Sequence, residues 1–297
     1  MTQGESTGWK TVFTQRTRRF VSLLLLSLLT FTAVAAKSDK VIRILAIGNS
    51  FSEDAVEQYL YELGKDAGYE FIIGNAYRGG QGFESHWKDV STFADTFEYR
   101  KVVKGAKTNR KNCSLRSMIE DEPWDYITFQ QASHDSGLPE TYEPCLTYLI
   151  EYVKWYATNK NVKLGFHQTW AYAQNSTHPG FVHYGNDQMT MYNSIIAAVK
   201  PAMKRHPELS FIIPSGTAIQ DARTSRLGDT FNRDGFHLDY NIGRYTAACT
   251  WYETLLGKNA MRNNYRPASV TAEDAAIARK AAHYAVRKPY RIYTIKQ

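Results

Sequence analysis

The sequence predicts an α/β fold built on a mostly parallel sheet of five strands. Short apolar runs alternate along the chain with longer stretches that carry apolar residues at helical spacing, and this alternation is typical of parallel strands joined by helices. The first run is apolar except for Arg43, as expected of a strand buried on both faces. The five predicted strands cover residues 41–47, 71–76, 126–129, 162–166 and 209–213.

The predicted helices lie between and after these strands. Apolar residues recur at helical spacing in residues 53–67, 142–156 and 189–203, and two further helices are predicted near 242–256 and 272–286. Gly68 is a plausible end for the first helix. Residues 79–112 and 168–186 do not fit the alternation; the former could hold a small hairpin, and long loops of this kind often carry substrate contacts.

The N-terminus has the layout of a secretory signal peptide. Arg16, Arg18 and Arg19 precede an apolar run over residues 20–34, which ends in small residues at 33–36. An export signal needs these three features, whereas a membrane span needs about 20 apolar residues. We therefore expect residues 1–36 to be removed, residues 37–297 to form one domain without a membrane span, and the product to be periplasmic or secreted. An uncleaved anchor is the alternative.

Charge and cysteine usage exclude several classes of protein. The chain of 297 residues has a formal charge of +7, of which the first 36 residues contribute +3, and it has no Lys/Arg block. A nucleic-acid-binding protein would need a clustered basic face, so we do not expect that partner. The three cysteines, Cys113, Cys145 and Cys249, are too few and too widely spaced for a disulfide framework. The oligomeric state is left open.

Ser50 is a candidate nucleophile because it stands between the first strand and the first helix. Side chains at this point are exposed at the carboxyl edge of a parallel sheet, where ligands bind in open α/β folds. The backbone N–H groups that begin a helix can also stabilise an oxyanion. The alternative is that Ser50 or Ser52 only caps the helix, since serine is a preferred N-cap residue.

Asp234 and His237 form a second candidate cluster, ahead of a late helix. A serine hydroxyl becomes a good nucleophile when a base accepts its proton, and an imidazole does so best when a carboxylate fixes its tautomer. Histidine with aspartate three residues earlier can supply both groups. On its own the spacing is also compatible with an ordinary surface loop.

Together these two segments resemble the SGNH, or GDSL-type, hydrolase family. The family has its nucleophile in a Gly-Asp-Ser-Leu-like turn after the first strand and an Asp-x-x-His motif near the C-terminus. Here the first motif reads Gly48-Asn49-Ser50-Phe51-Ser52, and the last is complete in Asp234 to His237. The resemblance implies a three-layer αβα, flavodoxin-like sandwich and a Ser50–His237–Asp234 triad.

The resemblance also implies an oxyanion hole, although one of the segments that would form it departs from the family's motif. In the family, a glycine after the second strand contributes its backbone N–H to this hole. The resemblance gives that role to Gly80, and Gly79 is the alternative. The family's third motif carries an asparagine that is missing here; the segment Gln130-Gln131-Ala132-Ser133 is similar to the Gln-Gly-Glu-Ser-like segment of carbohydrate acetylesterases. Gln130 is therefore the predicted side-chain donor, with Gln131 or His134 as alternatives.

The candidate residues and the signal-peptide pattern thus predict an exported serine esterase, and the resemblance implies that it acts on acyl, chiefly acetyl, esters of carbohydrate or on another small ester. A non-catalytic glycan-binding protein on the same scaffold, or a lipase or thioesterase of the same family, are the alternatives. No cofactor is expected. The remaining histidines lack metal-ligand spacing, so no metal site is predicted. Trp87, Trp170 and Tyr172 could stack on sugar rings, although aromatic residues near a sheet edge more often serve packing.

Overall fold

The computed structural model describes residues 40–296, so the predicted signal peptide lies outside the described residues. One sheet of seven strands runs through this part of the chain. Its strands are β1 (Lys40–Gly48), β2 (Tyr69–Tyr77), β3 (Phe97–Val103), β4 (Ala106–Cys113), β5 (Tyr126–Phe129), β6 (Lys163–His167) and β7 (Leu209–Ile213).

The strands follow the order β4-β3-β2-β1-β5-β6-β7. Strand β1 lies in the middle and pairs in parallel with β2 on one side and β5 on the other. Strands β6 and β7 extend the parallel part. The five predicted strands therefore form the parallel core of the sheet, and their carboxyl ends meet at one edge.

The prediction of five strands was wrong, because the sheet contains two further strands that form a hairpin. Strands β3 and β4 pair with each other in antiparallel fashion, and β3 adds antiparallel to β2. All but the last residue of this hairpin, Cys113, lies in the segment 79–112, where the sequence suggested a hairpin. Seven of the eight residues of β4 are exposed, so this edge strand has no apolar run. Polar and charged side chains suit an edge strand because they oppose pairing with other chains.

Helices flank the sheet. They are α1 (Ser50–Val56), α2 (Leu60–Asp66), α3 (Phe83–Ser91), α4 (Leu115–Ile119), α5 (Cys145–Tyr156), α6 (Gln188–Arg205), α7 (Ser215–Arg223), α8 (Ile242–Leu256) and α9 (Ala272–Arg287). Helices α1, α2, α7 and α9 contact α8. Helices α3 and α4 contact α5. The three-layer arrangement of the whole stays a prediction.

The single helix predicted over 53–67 is divided into α1 and α2. Tyr59, between them, has a left-handed backbone with a φ of 70°, which interrupts helical geometry. Its hydroxyl donates to the carbonyl of Tyr240 at 2.8 Å, so the break is coupled to a contact 181 residues away in sequence. Within the described residues, no helix is both long and apolar enough to cross a membrane.

Candidate active site

The turn that carries Ser50 lies at the carboxyl edge of the parallel strands, directly beside the turn that follows β2. The N–H of Arg78 donates to the carbonyl of Gly48 at 3.0 Å. The side-chain amide of Asn49 donates to the carbonyl of Gln81 at 2.8 Å. These two hydrogen bonds hold Gly80 close to the start of α1.

Asn49 shapes the turn before the candidate nucleophile. Its backbone is extended, and its Oδ1 accepts from the N–H of Phe51 at 2.9 Å, which makes it the N-cap of α1. Oδ1 also accepts from the side-chain amide of Gln130 at 2.7 Å. An aspartate could accept these two hydrogen bonds but could not donate to Gln81. The departure from the Gly-Asp-Ser-Leu pattern therefore has a structural reason.

The structure distinguishes Ser50 from its neighbour Ser52. Ser52 is 1% exposed, and its Oγ lies 2.7 Å from the carbonyl of Asn49 and 2.8 Å from Oδ1 of Asn75. Ser50 is half-buried at the first position of α1. Its Oγ lies 2.8 Å from Nε2 of His237. Ser52 thus stabilises the turn, whereas Ser50 contacts an imidazole.

The loop that carries Asp234 and His237 is closed by its own hydrogen bonds. Asn232 and Leu238 form an antiparallel bridge across its base. One oxygen of Asp234 accepts from the N–H of Phe236 at 3.1 Å and from that of His237 at 2.7 Å. Gly235 has a φ of 88°, and a Cβ there would lie 2.9 Å from Ser176. The tight turn therefore favours glycine between the two side chains.

Ser50, His237 and Asp234 form a continuous chain of hydrogen bonds. Nδ1 of His237 lies 2.7 Å from the second carboxylate oxygen of Asp234. Since a carboxylate only accepts, we assign the proton to Nδ1, which leaves Nε2 free to accept from the Ser50 hydroxyl. Burial acts to raise the pKa of Asp234, but the hydrogen bonds from His237 and Phe236 outweigh it and hold the pKa below its usual value.

A buried carboxylate that sequence reasoning missed joins the segment of Ser50 to the segment of His237. Asp54 is fully buried one turn after Ser50. Its oxygens accept from Nη1 of Arg233 at 3.1 Å and from the N–H of Leu238 at 2.7 Å, and Arg244 lies 2.6 Å away. Arg233 and Leu238 flank the Asp234–His237 turn. Asp54 therefore fixes the loop of His237 against the helix of Ser50.

Trp170 forms a second link between these segments. Its ring stacks on Phe51 with centroids 4.2 Å apart and an interplanar angle of 12°. Its indole N–H donates to the carbonyl of Phe236 at 2.8 Å. Trp170 and Tyr172 are fully buried, so both serve packing here, whereas Trp87 is half-buried.

Gly80 lies in the exposed turn after β2, and its φ of 69° is a conformation that favours glycine. Within residues 40–296 its N–H has no hydrogen-bond partner. Ser50, as the first residue of α1, has an N–H without an intrahelical acceptor. Both amides are thus available to a ligand.

Gln130 is buried beneath the turn and belongs to a polar network. Its amide nitrogen donates to Asn49, and its oxygen lies 2.7 Å from Nδ1 of His167. Nε2 of His167 lies 2.9 Å from the hydroxyl of Ser215. Burial lowers the pKa of His167 to about 3, so this imidazole is neutral, with its proton on Nδ1. One hydrogen of the Gln130 amide has no partner in the described part of the chain.

The two alternatives to Gln130 have different surroundings. The Gln131 amide nitrogen donates to the carbonyl and hydroxyl of Thr141, and its oxygen accepts from backbone N–H groups. His134 is half-exposed, with Nε2 3.4 Å from Asp135 and its ring stacked on His178 at 5.9 Å. His178 in turn contacts Phe236 at 4.8 Å. His134 therefore lies on the same side of the molecule as His237.

Among residues 40–296 no group of three or more His, Cys, Asp or Glu side chains could hold a metal ion. The chain matches a family described as "Domain of unknown function (DUF4886)" over residues 43–285. No curated protein matches the sequence.

Solved structures extend this comparison. A DUF4886 family protein from Bacteroides uniformis is 47% identical, covers 86% of this chain and 98% of its own, and superposes with a TM-score of 0.83. A protein from Slackia heliotrinireducens, provisionally assigned as an SGNH hydrolase, is 18% identical over 73% of this chain and 100% of its own, with a TM-score of 0.50. A provisional acylhydrolase from Bacteroides fragilis is 12% identical over 96% and 100%, with a TM-score of 0.42. At 18% identity the likeness concerns the fold.

Proposed function

Because this chain belongs to the DUF4886 family, whose function is not established, we propose from the geometry of its own residues that it is a serine esterase of the SGNH type. The observation that carries the proposal is the chain of contacts from Ser50 to His237 at 2.8 Å and from His237 to Asp234 at 2.7 Å. Ser50 and His237, 187 residues apart in sequence, meet there, and with the proton assigned to Nδ1 the hydrogen-bond directions are those that nucleophilic catalysis needs.

The proposed reaction is acyl transfer in two steps. The Ser50 oxygen attacks the ester carbonyl while Nε2 of His237 accepts the hydroxyl proton, and the tetrahedral intermediate expels the alcohol as the imidazolium returns that proton. Water then attacks the acyl-serine by the same route and releases the acid. The Asp234 carboxylate stabilises the imidazolium throughout.

We assign the hydrogen-bond donors to the oxyanion of the intermediate as the backbone amides of Ser50 and Gly80 and the side-chain amide of Gln130. Within residues 40–296 the Gly80 N–H has no hydrogen-bond partner and the Ser50 N–H has no intrahelical acceptor, and the contacts at Gly48 and Gln81 join the two turns. Gln130 has one amide hydrogen left after its bond to Asn49. Loss of a single donor of this kind typically lowers the rate about 10²–10³-fold, so each assignment can be checked separately.

For the substrate we propose a short acyl ester, chiefly acetate, on a carbohydrate, acted on outside the cytoplasm. The signal-peptide pattern in residues 1–36 supports export, and the Gln130-Gln131-Ala132-Ser133 resemblance supports a carbohydrate ester. A lipase or thioesterase would hydrolyse esters of long acyl chains best, and a non-catalytic glycan-binding protein would hydrolyse neither short-chain nor long-chain esters.

The test is hydrolysis of p-nitrophenyl esters and release of acetate from acetylated polysaccharides by the mature protein. We expect cleavage of p-nitrophenyl acetate in preference to the octanoate, and loss of activity in Ser50→Ala to near the blank. Ser52→Ala, at a buried hydroxyl in the same turn, is the matched control and should keep most activity. Equal activity in the wild type and Ser50→Ala would refute the proposal.

A further inference from the structure

A cavity of about 490 Å³ opens beside the proposed oxyanion hole. Its volume lies within the roughly 300–1,000 Å³ that small-molecule sites usually have. Gly80 and Gln81 form part of its wall. Because Gln81 accepts a hydrogen bond from Asn49, the residue before Ser50, this wall is fixed directly to the nucleophile turn. His134 lines the cavity too and leads through His178 and Phe236 to His237.

The charged groups of this cavity set the chemistry it can accept. Glu84 and Lys88 come from α3, and Asp135 and Glu140 from the segment after β5. Asp135 lies near His134, but the side chains of Glu84, Glu140 and Lys88 make no hydrogen bond or ion pair with any other residue between 40 and 296. Three carboxylates and one ammonium group thus surround the space, and two of the carboxylates are free to accept hydrogen bonds.

We propose that this cavity binds the alcohol part of the ester, and that this alcohol is an uncharged, polyhydroxylated unit such as a neutral sugar. This inference rests on the proposed esterase function and names its substrate more closely. Free carboxylates accept hydrogen bonds from sugar hydroxyls, and the excess of negative charge disfavours uronates, sulfates and phosphates at close range. A cavity for a long acyl chain would instead have a predominantly apolar lining.

The inference gives Glu84 and Glu140 the role of specificity-determining residues. They bind the leaving group rather than the reacting carbonyl, so they matter only when the alcohol is large enough to enter the cavity. p-Nitrophenyl acetate carries the same acyl group but lacks sugar hydroxyls. Comparison of the two kinds of substrate therefore separates the cavity from the catalytic residues.

The test compares the wild type with Glu84→Ala/Glu140→Ala on p-nitrophenyl acetate and on partially acetylated xylo- and manno-oligosaccharides. We expect kcat/KM for the oligosaccharides to fall about tenfold or more, mainly through KM, because hydrogen bonds to charged groups are lost. kcat/KM for p-nitrophenyl acetate should change less than twofold. Glu151→Ala, which removes an exposed carboxylate on α5 paired with Lys154, is the matched control and should leave both unchanged.

A second variant tests the charge selectivity. The wild type should prefer the neutral oligosaccharides to partially acetylated oligogalacturonides, and Glu84→Gln/Glu140→Gln should reduce that preference at least fivefold. An unchanged KM in the alanine variant, an equal loss on both substrate classes, or a wild-type preference for the uronates would each overturn the inference.

Binding measurements separate this inference from the esterase proposal. Calorimetry of the same neutral oligosaccharides with Ser50→Ala should show affinity that is lost when Glu84→Ala/Glu140→Ala is added. If the oligosaccharide affinity were unchanged by Glu84→Ala/Glu140→Ala, the inference about the cavity would be refuted, even if Ser50-dependent cleavage of p-nitrophenyl acetate is found. Absence of that cleavage, with the oligosaccharide affinity present, would refute the esterase proposal and leave the cavity as a binding site for neutral sugars.

Discussion

Asp54 should be necessary for the geometry of the proposed catalytic residues, although it is itself fully buried. Removal of its side chain in Asp54→Ala leaves Arg233 and Arg244 without their shared carboxylate and the N–H of Leu238 without an acceptor. The loop carrying His237 then loses one of its attachments to α1 and keeps the contact through Trp170. We expect both the stability and the turnover of the protein to fall.

The size of the stability loss follows from burial. Removal of one partner from a buried ion pair costs about 3–5 kcal/mol; the Arg233 and Arg244 side chains are 24% and 10% exposed, so we expect the lower end, about 3 kcal/mol. For a domain of this size that corresponds to a melting temperature about 6–12 °C lower. Because His237 would no longer be held against Ser50, kcat should fall by a larger factor than the factor by which KM changes.

Thermal unfolding and p-nitrophenyl acetate kinetics check this prediction. Asp54→Asn keeps an acceptor for Leu238 and should lie between the wild type and Asp54→Ala in both measurements. Glu151→Ala breaks an exposed ion pair of 2.8 Å and should cost at most about 1 kcal/mol. If Asp54→Ala melted at the wild-type temperature and turned over within twofold of the wild type, the attachment we describe would be refuted.

Two further predictions concern single carboxylates. Asp234→Asn should lower kcat by about 10⁴-fold, because an amide next to Nδ1 favours the wrong tautomer of His237; loss of less than tenfold would contradict the assigned role. Burial raises the pKa of Asp221 to about 8, partly offset by the N–H of Tyr293. Its stabilising contribution is therefore full below about pH 4 and lost as the pH rises through about 8. When the pH is raised from 5 to 9, the free energy of unfolding of Asp221→Asn should increase by at least about 1 kcal/mol relative to that of the wild type, as measured by denaturant unfolding. A difference in unfolding free energy that does not change with pH would refute this prediction.

The parallel core of the fold could be predicted from the sequence because its strands are apolar and bounded by turn residues. The predicted 41–47 corresponds to β1 at Lys40–Gly48, and 209–213 coincides with β7. The hairpin strands could not be counted, since the exposed residues of β4 give no hydrophobic signal. The break at Tyr59 was also missed, because it coincides with a contact to Tyr240 that local periodicity does not encode.

The site was predictable where a residue belongs to a motif and was not predictable where a residue belongs to none. Ser50, Asp234 and His237 were proposed from two short segments, and the structure brings their side chains together. Asp54 carries no motif, and only the folded chain shows that it faces Arg233 and Leu238. The hydrogen bond from Gln130 to Asn49 was equally invisible, although an asparagine in place of the family's aspartate was a signal that this position donates as well as accepts.

Identification of the nucleophile tests the account most directly. The mature protein should react with a fluorophosphonate probe at one position, and peptide mapping by mass spectrometry should place the adduct on Ser50. Ser50→Ala should not react, whereas Ser52→Ala should. An adduct on Ser52, or equal labelling of the wild type and Ser50→Ala, would contradict the claim that His237 activates Ser50.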